Sequence, residues 1–88
     1  MSTKPYAVHF FPTAIRQLEQ LPTKIRLQIS KRIDALAENP RPPGCKLLRD
    51  RDGVHRIRSG DYRVLYRIED DRLVVLVIRV GNSREVYR

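Results

Sequence analysis

Hydrophobic residues in the first half of the chain follow one strand-like and two helix-like patterns. The segment YAVHFF at residues 6–11 is short, β-prone and bounded by prolines, which predicts a strand. Apolar residues then recur every three or four positions over residues 14–21 and again over residues 25–37, as expected for two amphipathic helices. Thr13 fits the cap or first turn of the first helix, and Thr23 is expected to cap the second. Asn39-Pro40 is expected to end that helix.

The second half of the chain alternates with the period of β-strands. Residues 46–48 fit a brief extended piece, and residues 54–58 and 62–69 fit two strands joined by the turn Ser59-Gly60-Asp61. The nearly continuous apolar run at 73–80 predicts a central strand covered on both faces, and residues 85–87 close the chain. The order is β-α-α-β-β-β in a single domain over residues 1–88. It predicts an α+β fold, an antiparallel sheet with a helical hairpin packed on one face.

The net charge and its distribution along the chain bear on the class of partner that the domain binds. The net charge is +8, and residues 41–67 hold eight of the 18 basic residues but only three of the 10 acidic ones. A basic segment on a small domain favours a polyanion such as nucleic acid, although a solvated basic surface gives the same composition. The single cysteine, Cys45, allows no internal disulfide, and no apolar run reaches the roughly 18 residues of a membrane span. We therefore expect a cytoplasmic protein with no membrane contact.

Arginines cluster in the two middle strands, on positions that share a face. Arg56 and Arg58 point the same way because side chains two apart in a strand share a face. If Ile57, Val64 and Ile68 pack under the helices, Arg56, Arg58 and Arg63 converge on the open face. The planar guanidinium suits bidentate contacts with phosphate better than solubility alone requires. By the same alternation, His55 points toward the helices.

The series of motifs resembles the RelE/ParE superfamily of type II toxins, and RelE more than ParE. The matching pieces are N-P-x-x-x-G at 39–44, K-L-L at 46–48, H-R-I-R-S-G-D-Y-R-V-L-Y at 55–66 and V-G-N-S-R-E-V-Y at 80–87. The resemblance covers nearly the whole chain and implies the RelE-like microbial ribonuclease fold. It also implies an endoribonuclease, an mRNA interferase that cleaves messenger RNA on the ribosome and inhibits translation. No cofactor and no metal site are implied.

The resemblance also implies functional residues and a partner. The catalytic set falls on Arg56, Arg58, Arg63, Tyr87 and, in the last turn, Arg84, and further RNA contacts are expected at Lys46, Arg49 and Arg67. Family members are held inactive by a cognate antitoxin. We expect that antitoxin to be acidic and partly disordered when free, and to form a hetero-oligomeric complex with the toxin.

One departure from the family pattern bears on the mechanism. Many relatives carry a His-Arg pair after the glycine of the last strand, where this chain has Asn82 and Ser83. A histidine there is a ready general base, whereas arginine stays protonated and is a poor one. The proton acceptor is therefore unassigned, and two alternatives stay open. One is a ParE-like toxin that inhibits DNA gyrase, and the other is a relative that binds RNA or protein without cutting.

Overall fold

Strands and helices form where the hydrophobic pattern places them, with shifts of a few residues at their ends. The computed structural model describes residues 5–49 and 53–82, without the side chain of Arg49. Residues 85–87, predicted to close the chain, lie outside these ranges. The elements in chain order are β1 (Ala7–Phe10), α1 (Pro12–Glu19), α2 (Thr23–Leu36), β2 (Lys46–Arg49), β3 (Val54–Ser59), β4 (Tyr62–Glu69) and β5 (Val74–Asn82).

Prolines determine where both helices begin. Pro12 is the first residue of α1, where its fixed φ is favourable and its missing N–H has no helical partner to lose. Thr13 therefore lies in the first turn. Thr23 is the first residue of α2 rather than its cap, so that prediction was wrong. Pro22 takes the cap position in an extended conformation, and its carbonyl accepts a 2.9 Å hydrogen bond from the N–H of Arg26.

The predicted fold class holds, and one strand pairing differs from the prediction. The strand order is β1-β5-β4-β3-β2. Neighbours from β2 to β5 are antiparallel, but β1 runs parallel to β5, with Ala7 opposite Val74 and Phe10 opposite Val77. The sheet is therefore mixed. Its two helices carry the chain from β1 to the far edge at β2, and three antiparallel pairings bring it back beside β1.

Both helices bury one face against the same side of the sheet. Ile29, Ile33 and Leu36 of α2 are buried, and α1 contributes Ala14. The sheet side of this core consists of Ile57, Val64, Tyr66, Val75, Val77 and Val80. Ile68, predicted to lie under the helices, packs at the margin of the core and is partly buried. The opposite face of the sheet carries no helix from the described ranges.

A β-bulge interrupts the alternation of β5. Leu65 of β4 lies opposite Arg79, and the next residue, Tyr66, lies opposite Val77, so Ile78 is an extra residue in β5. Such a bulge reverses which face the following side chains occupy. Val77 and Val80 are consequently both buried, although they are three residues apart. Neither helix of the described segments has the length and apolar character needed to cross a bilayer.

Candidate nucleic-acid interface

The register of β3 and β4 brings the predicted arginines together on the open face. Arg58 lies directly opposite Arg63, and Arg56 lies opposite Leu65. Directly opposed residues share a face, and their Cβ atoms are about 5 Å apart. Ile57 and Val64, one step along each strand, are buried beneath the helices. The three arginines therefore stand on the helix-free side, and Arg58 and Arg63 are the closest pair.

The predicted RNA-binding residues extend this basic surface in two directions. Lys46 of β2 lies opposite Arg56, which places it in the same transverse row. Arg67 lies opposite Val54, one row further along β4 than Leu65. Arg49 pairs through its backbone with Val54, but its side chain is outside the described part of the structure.

Two further predicted site residues cannot be placed. Arg84 and Tyr87 lie beyond residue 82, where the description of the chain ends. The described part of the predicted catalytic set therefore consists of Arg56, Arg58 and Arg63.

Arg56 and Arg63 are partly sunk into the sheet surface, whereas Arg58 is exposed. The Nε atom of Arg56 and the Nε and Nη1 atoms of Arg63 are buried from solvent. Both residues also interact with other groups of the protein. A cation that is partly withdrawn from water attracts an anion more strongly than one on an open surface. Arg63 therefore combines a central position with reduced hydration, which suits it to hold a phosphate as charge builds up.

Neither histidine lies at the Arg58–Arg63 pair. His55 faces the helices, as predicted, and stacks on the buried ring of Tyr66 with ring centroids 5.7 Å apart. His9 lies opposite Leu76 at the β1 edge of the open face, in the same row as Arg67. That row is four residues along β4 from Arg63, or about 13 Å at the usual strand rise. The described residues place no histidine where it can take a proton beside Arg63.

Sequence reasoning missed one cation on this face, Arg79. It lies in β5 opposite Leu65 and is exposed. The apolar run at 73–80 favoured a strand covered on both faces, and simple alternation from Val75 and Val77 places residue 79 under the helices. The only sequence signal was the charge itself, since a lone arginine at an apparently buried position indicates a break in the alternation.

A hydrogen-bonded framework holds the loop before β2 against the sheet. The hydroxyl of buried Tyr66 donates a 2.8 Å hydrogen bond to the carbonyl of Pro40. Burial raises the pKa of Tyr66, because a phenolate would lose its hydration there. The tyrosine therefore stays protonated as a donor, and it is a structural group on the helix side rather than part of the arginine surface.

Asp70 links three separate segments at the end of the sheet near the β4–β5 turn. It accepts hydrogen bonds from Arg41, at 2.9 Å and 3.2 Å, and from the hydroxyl of Tyr6 at 2.7 Å. The bonds from Arg41 and then from Tyr6 lower the pKa of Asp70 to about 2. The same carboxylate raises the pKa of Tyr6. This cluster joins Tyr6, just before β1, and Arg41, in the loop before β2, to the β4–β5 turn.

One concavity among the described residues lies on the other side of the sheet from the arginines. It is an open groove of about 640 Å³ between α1 and the end of β5, lined in part by Gln17, Leu21, Tyr62 and Asn82. Tyr62 and Asn82 face each other on the helix side. The basic surface lies on the face of the sheet that no helix of the described ranges covers, and such an open face suits an extended chain better than a small molecule.

Comparison with known proteins gives one consistent result. A family model described as the ParE toxin of the type II toxin-antitoxin system parDE matches residues 8–87. Toxin RelG of Mycobacterium tuberculosis is 36% identical over 85 residues, covering 96% of this chain and 98% of the relative. The mRNA interferase toxin RelE of Escherichia coli is 33% identical over 85 residues, covering 93% and 90%.

A solved structure confirms the α+β fold. The toxin-antitoxin complex RelBE2 from Mycobacterium tuberculosis contains a chain that superposes with a TM-score of 0.77 and 36% identity. The match covers 89% of this chain and 98% of that one.

Proposed function

The chain belongs to the RelE/ParE superfamily of type II toxins, and we propose that it is an mRNA interferase, an endoribonuclease that cuts messenger RNA on the ribosome and so inhibits translation. The observation that carries this proposal is the cross-strand pair Arg58–Arg63 on the open face, with Arg56 in the adjoining row. Like charges placed directly opposite each other destabilise a sheet. A bound phosphate turns that repulsion into attraction.

The proposed reaction uses the RNA's own 2′-hydroxyl as the nucleophile. The hydroxyl gives up its proton as its oxygen attacks the adjacent phosphorus, the bond from phosphorus to the 5′-oxygen of the next nucleotide breaks, and a proton passes to that leaving oxygen. The products are a 2′,3′-cyclic phosphate and a 5′-hydroxyl. Arg56, Arg58 and Arg63 hold the phosphate in line and stabilise the extra negative charge of the transition state. Burial of part of the Arg63 guanidinium supports giving it the central position.

Proton transfer is assigned to the C-terminal segment. Arginine remains protonated at any physiological pH and is a poor base. We assign Tyr87 to orient or deprotonate the 2′-hydroxyl, and Arg84 to a further contact with the phosphate. Lys46, Arg49 and Arg67 bind neighbouring parts of the RNA, since they continue the same basic rows through their strand pairings.

A cognate antitoxin completes the proposal. A chain with 36% identity to this one was solved in the toxin-antitoxin complex RelBE2 from M. tuberculosis. The +8 charge of this chain favours an acidic partner. We propose a partly disordered acidic antitoxin that orders on binding and forms a hetero-oligomer with the toxin.

Cleavage of mRNA on programmed ribosomes tests the enzyme. Arg63→Ala should lower the cleavage rate about 100-fold or more, the usual effect of removing one stabilising donor from a transition state. Arg32→Ala is the matched control, because it removes one exposed arginine from α2, on the helix side. Cleavage by Arg63→Ala at the rate of the wild type would contradict the site. Tight RNA binding without cutting by the wild type would identify a non-catalytic relative.

A second candidate is inhibition of DNA gyrase. The match to the ParE family model and the presence of Asn82 and Ser83 in place of the usual His-Arg pair favour it. The two functions separate in growing cells, where pulse labelling shows whether protein or DNA synthesis stops first after the toxin is induced. Early loss of DNA synthesis with intact mRNA would support the gyrase-inhibiting function.

A further inference from the structure

The bulge in β5 determines the direction of Arg79. Val75 and Val77 are fully buried on the helix side. Continued alternation would bury Arg79 with them, at the considerable cost of an unhydrated charge. Ile78 is inserted instead, so Arg79 lies opposite Leu65 on the open face and Val80 returns to the core at 1% exposure. Bulges commonly re-aim a side chain near functional sites.

Helix α1 fixes which residues of β5 face the helices after the bulge. The backbone N–H of Val80, the residue after Arg79, donates a 2.8 Å hydrogen bond to the side-chain oxygen Oε1 of Gln17. This bond satisfies a partly buried donor and ties β5 to the last turn of α1. The outward direction of Arg79 is therefore fixed by the scaffold, and does not depend on its own contacts.

The next residue of β5 on the same face as Arg79 is a glycine. Gly81 lies directly opposite Arg63, two residues beyond Arg79 on the same face, and carries no side chain. Arg63, across the strand pair, and Arg79, two residues back along β5, are thus the cationic neighbours of Gly81 on this face. Leu65, which is half-buried, separates Arg79 from Arg56, whose strand is two places away, or about 10 Å at the usual strand spacing.

We propose that Arg79 and Arg63 hold a second phosphate of the RNA above Gly81, next to the phosphate gripped by Arg56, Arg58 and Arg63. This inference rests on the proposed ribonuclease function and adds a subsite to it. An extended RNA then crosses the sheet from β3 to β5, with one phosphate on the β3 side of Arg63 and the next phosphate on its β5 side. Arg79 binds the RNA and fixes its position along the sheet, and it takes no part in proton transfer.

RNA binding tests the subsite without cleavage. The probe is a short single-stranded RNA with every 2′-hydroxyl methylated, so that the nucleophile is blocked. Arg79→Ala should weaken binding about fivefold to tenfold and reduce the slope of log affinity against log salt by about 0.7, the loss of one phosphate contact to a single strand. Arg32→Ala should leave affinity within about twofold, because its charge lies on the far side of the domain.

Two further variants test the position of the phosphate. Gly81→Val keeps every charge but fills the space, so it should weaken binding by a similar factor. If Arg63 and Arg79 share one phosphate, the loss in Arg63→Ala/Arg79→Ala should be smaller than the product of the two single losses. A melting temperature within a few degrees of the wild type shows that each variant keeps its fold.

The opposite results would overturn the subsite. These are wild-type affinity and salt slope in Arg79→Ala, or strictly multiplicative losses in the double variant. Unchanged RNA binding together with weaker binding of a polyglutamate peptide would assign Arg79 to an acidic protein partner instead. These results are independent of the ribosome assay: a wild type that does not cut mRNA refutes the enzyme, whereas an inert Arg79 refutes only the subsite.

Discussion

Tyr66 and Pro40 are 26 residues apart in the chain, and the hydroxyl of the tyrosine donates a 2.8 Å hydrogen bond to the carbonyl of the proline. Through this bond the centre of the sheet holds the loop that leads into β2. Tyr66 is fully buried, so neither partner can turn to water if the bond is lost.

Tyr66→Phe should destabilise the fold and spare the chemistry. Removing the hydroxyl leaves the Pro40 carbonyl without its donor, which should lower the free energy of unfolding by about 1–2 kcal/mol. Urea unfolding followed by circular dichroism measures this loss. Cleavage per folded molecule should stay close to the wild type, because Tyr66 faces the helices and the arginines face away. A selective loss of cleavage with unchanged stability would contradict this assignment.

Asp70 should make stability depend on pH in the acid range. Its pKa of about 2 in the folded protein lies below the ordinary value of 3.8. A carboxyl group whose pKa is lower in the folded protein than in the unfolded chain stabilises the fold at pH values above its ordinary pKa. This contribution is lost as the pH falls through the pKa of the folded protein. The stability difference between the wild type and Asp70→Asn should therefore be constant from neutral pH to about 5 and should disappear between about 4 and 2.

Urea unfolding of both proteins across this range measures the effect. Asp71→Asn is a matched control, since it removes a neighbouring exposed carboxylate from the same turn. A constant difference between wild type and Asp70→Asn down to pH 2 would refute the cluster as the cause.

Arg58 is expected to lower the stability of the fold, although it belongs to the proposed phosphate site. Because Arg58 lies opposite Arg63, Arg58→Gln should raise the free energy of unfolding by about 0.2–1 kcal/mol at low salt. The gain should shrink in about 1 M salt, where the Debye length is about 3 Å. Added polyphosphate should raise the melting temperature of the wild type more than that of Arg58→Gln. Equal stabilisation of both proteins would exclude the Arg58–Arg63 pair as the anion site.

Gln17 should position the end of β5 through its single acceptor. Gln17→Leu leaves the N–H of Val80 without its partner and should lower the free energy of unfolding by about 1–2 kcal/mol. Gln17→Glu keeps an oxygen acceptor at the same place and should retain most of the stability. Amide hydrogen exchange at Val80 should speed up in Gln17→Leu only. Equal exchange rates in the two variants would show that the Gln17 side chain does not protect this amide.

The sequence allowed the arginine face to be predicted because alternation in β3 and β4 is regular. Ile57 and Val64 mark the buried side without ambiguity, so Arg58 and Arg63 follow on the other. Alternation failed at Arg79, because a bulge is a two-strand property that depends on how β5 pairs with β4. The Arg41–Asp70 ion pair could not be predicted from the sequence either. Its partners are 29 residues apart and meet only when the loop before β2 folds against the β4–β5 turn.

The parallel pairing of β1 with β5 has a consequence for synthesis. Within the described sheet, β1 leaves the ribosome before the other strands but pairs only with β5, since Ala7–Phe10 lie beside Val74–Val77. Three of the six buried sheet residues of the core also belong to β5. A nascent chain that lacks this strand has neither a partner for β1 nor half of the sheet side of its core, so the sheet cannot be completed before β5 has left the ribosome. The arginines of β3 and β4 are thus synthesised before the strand that completes their support.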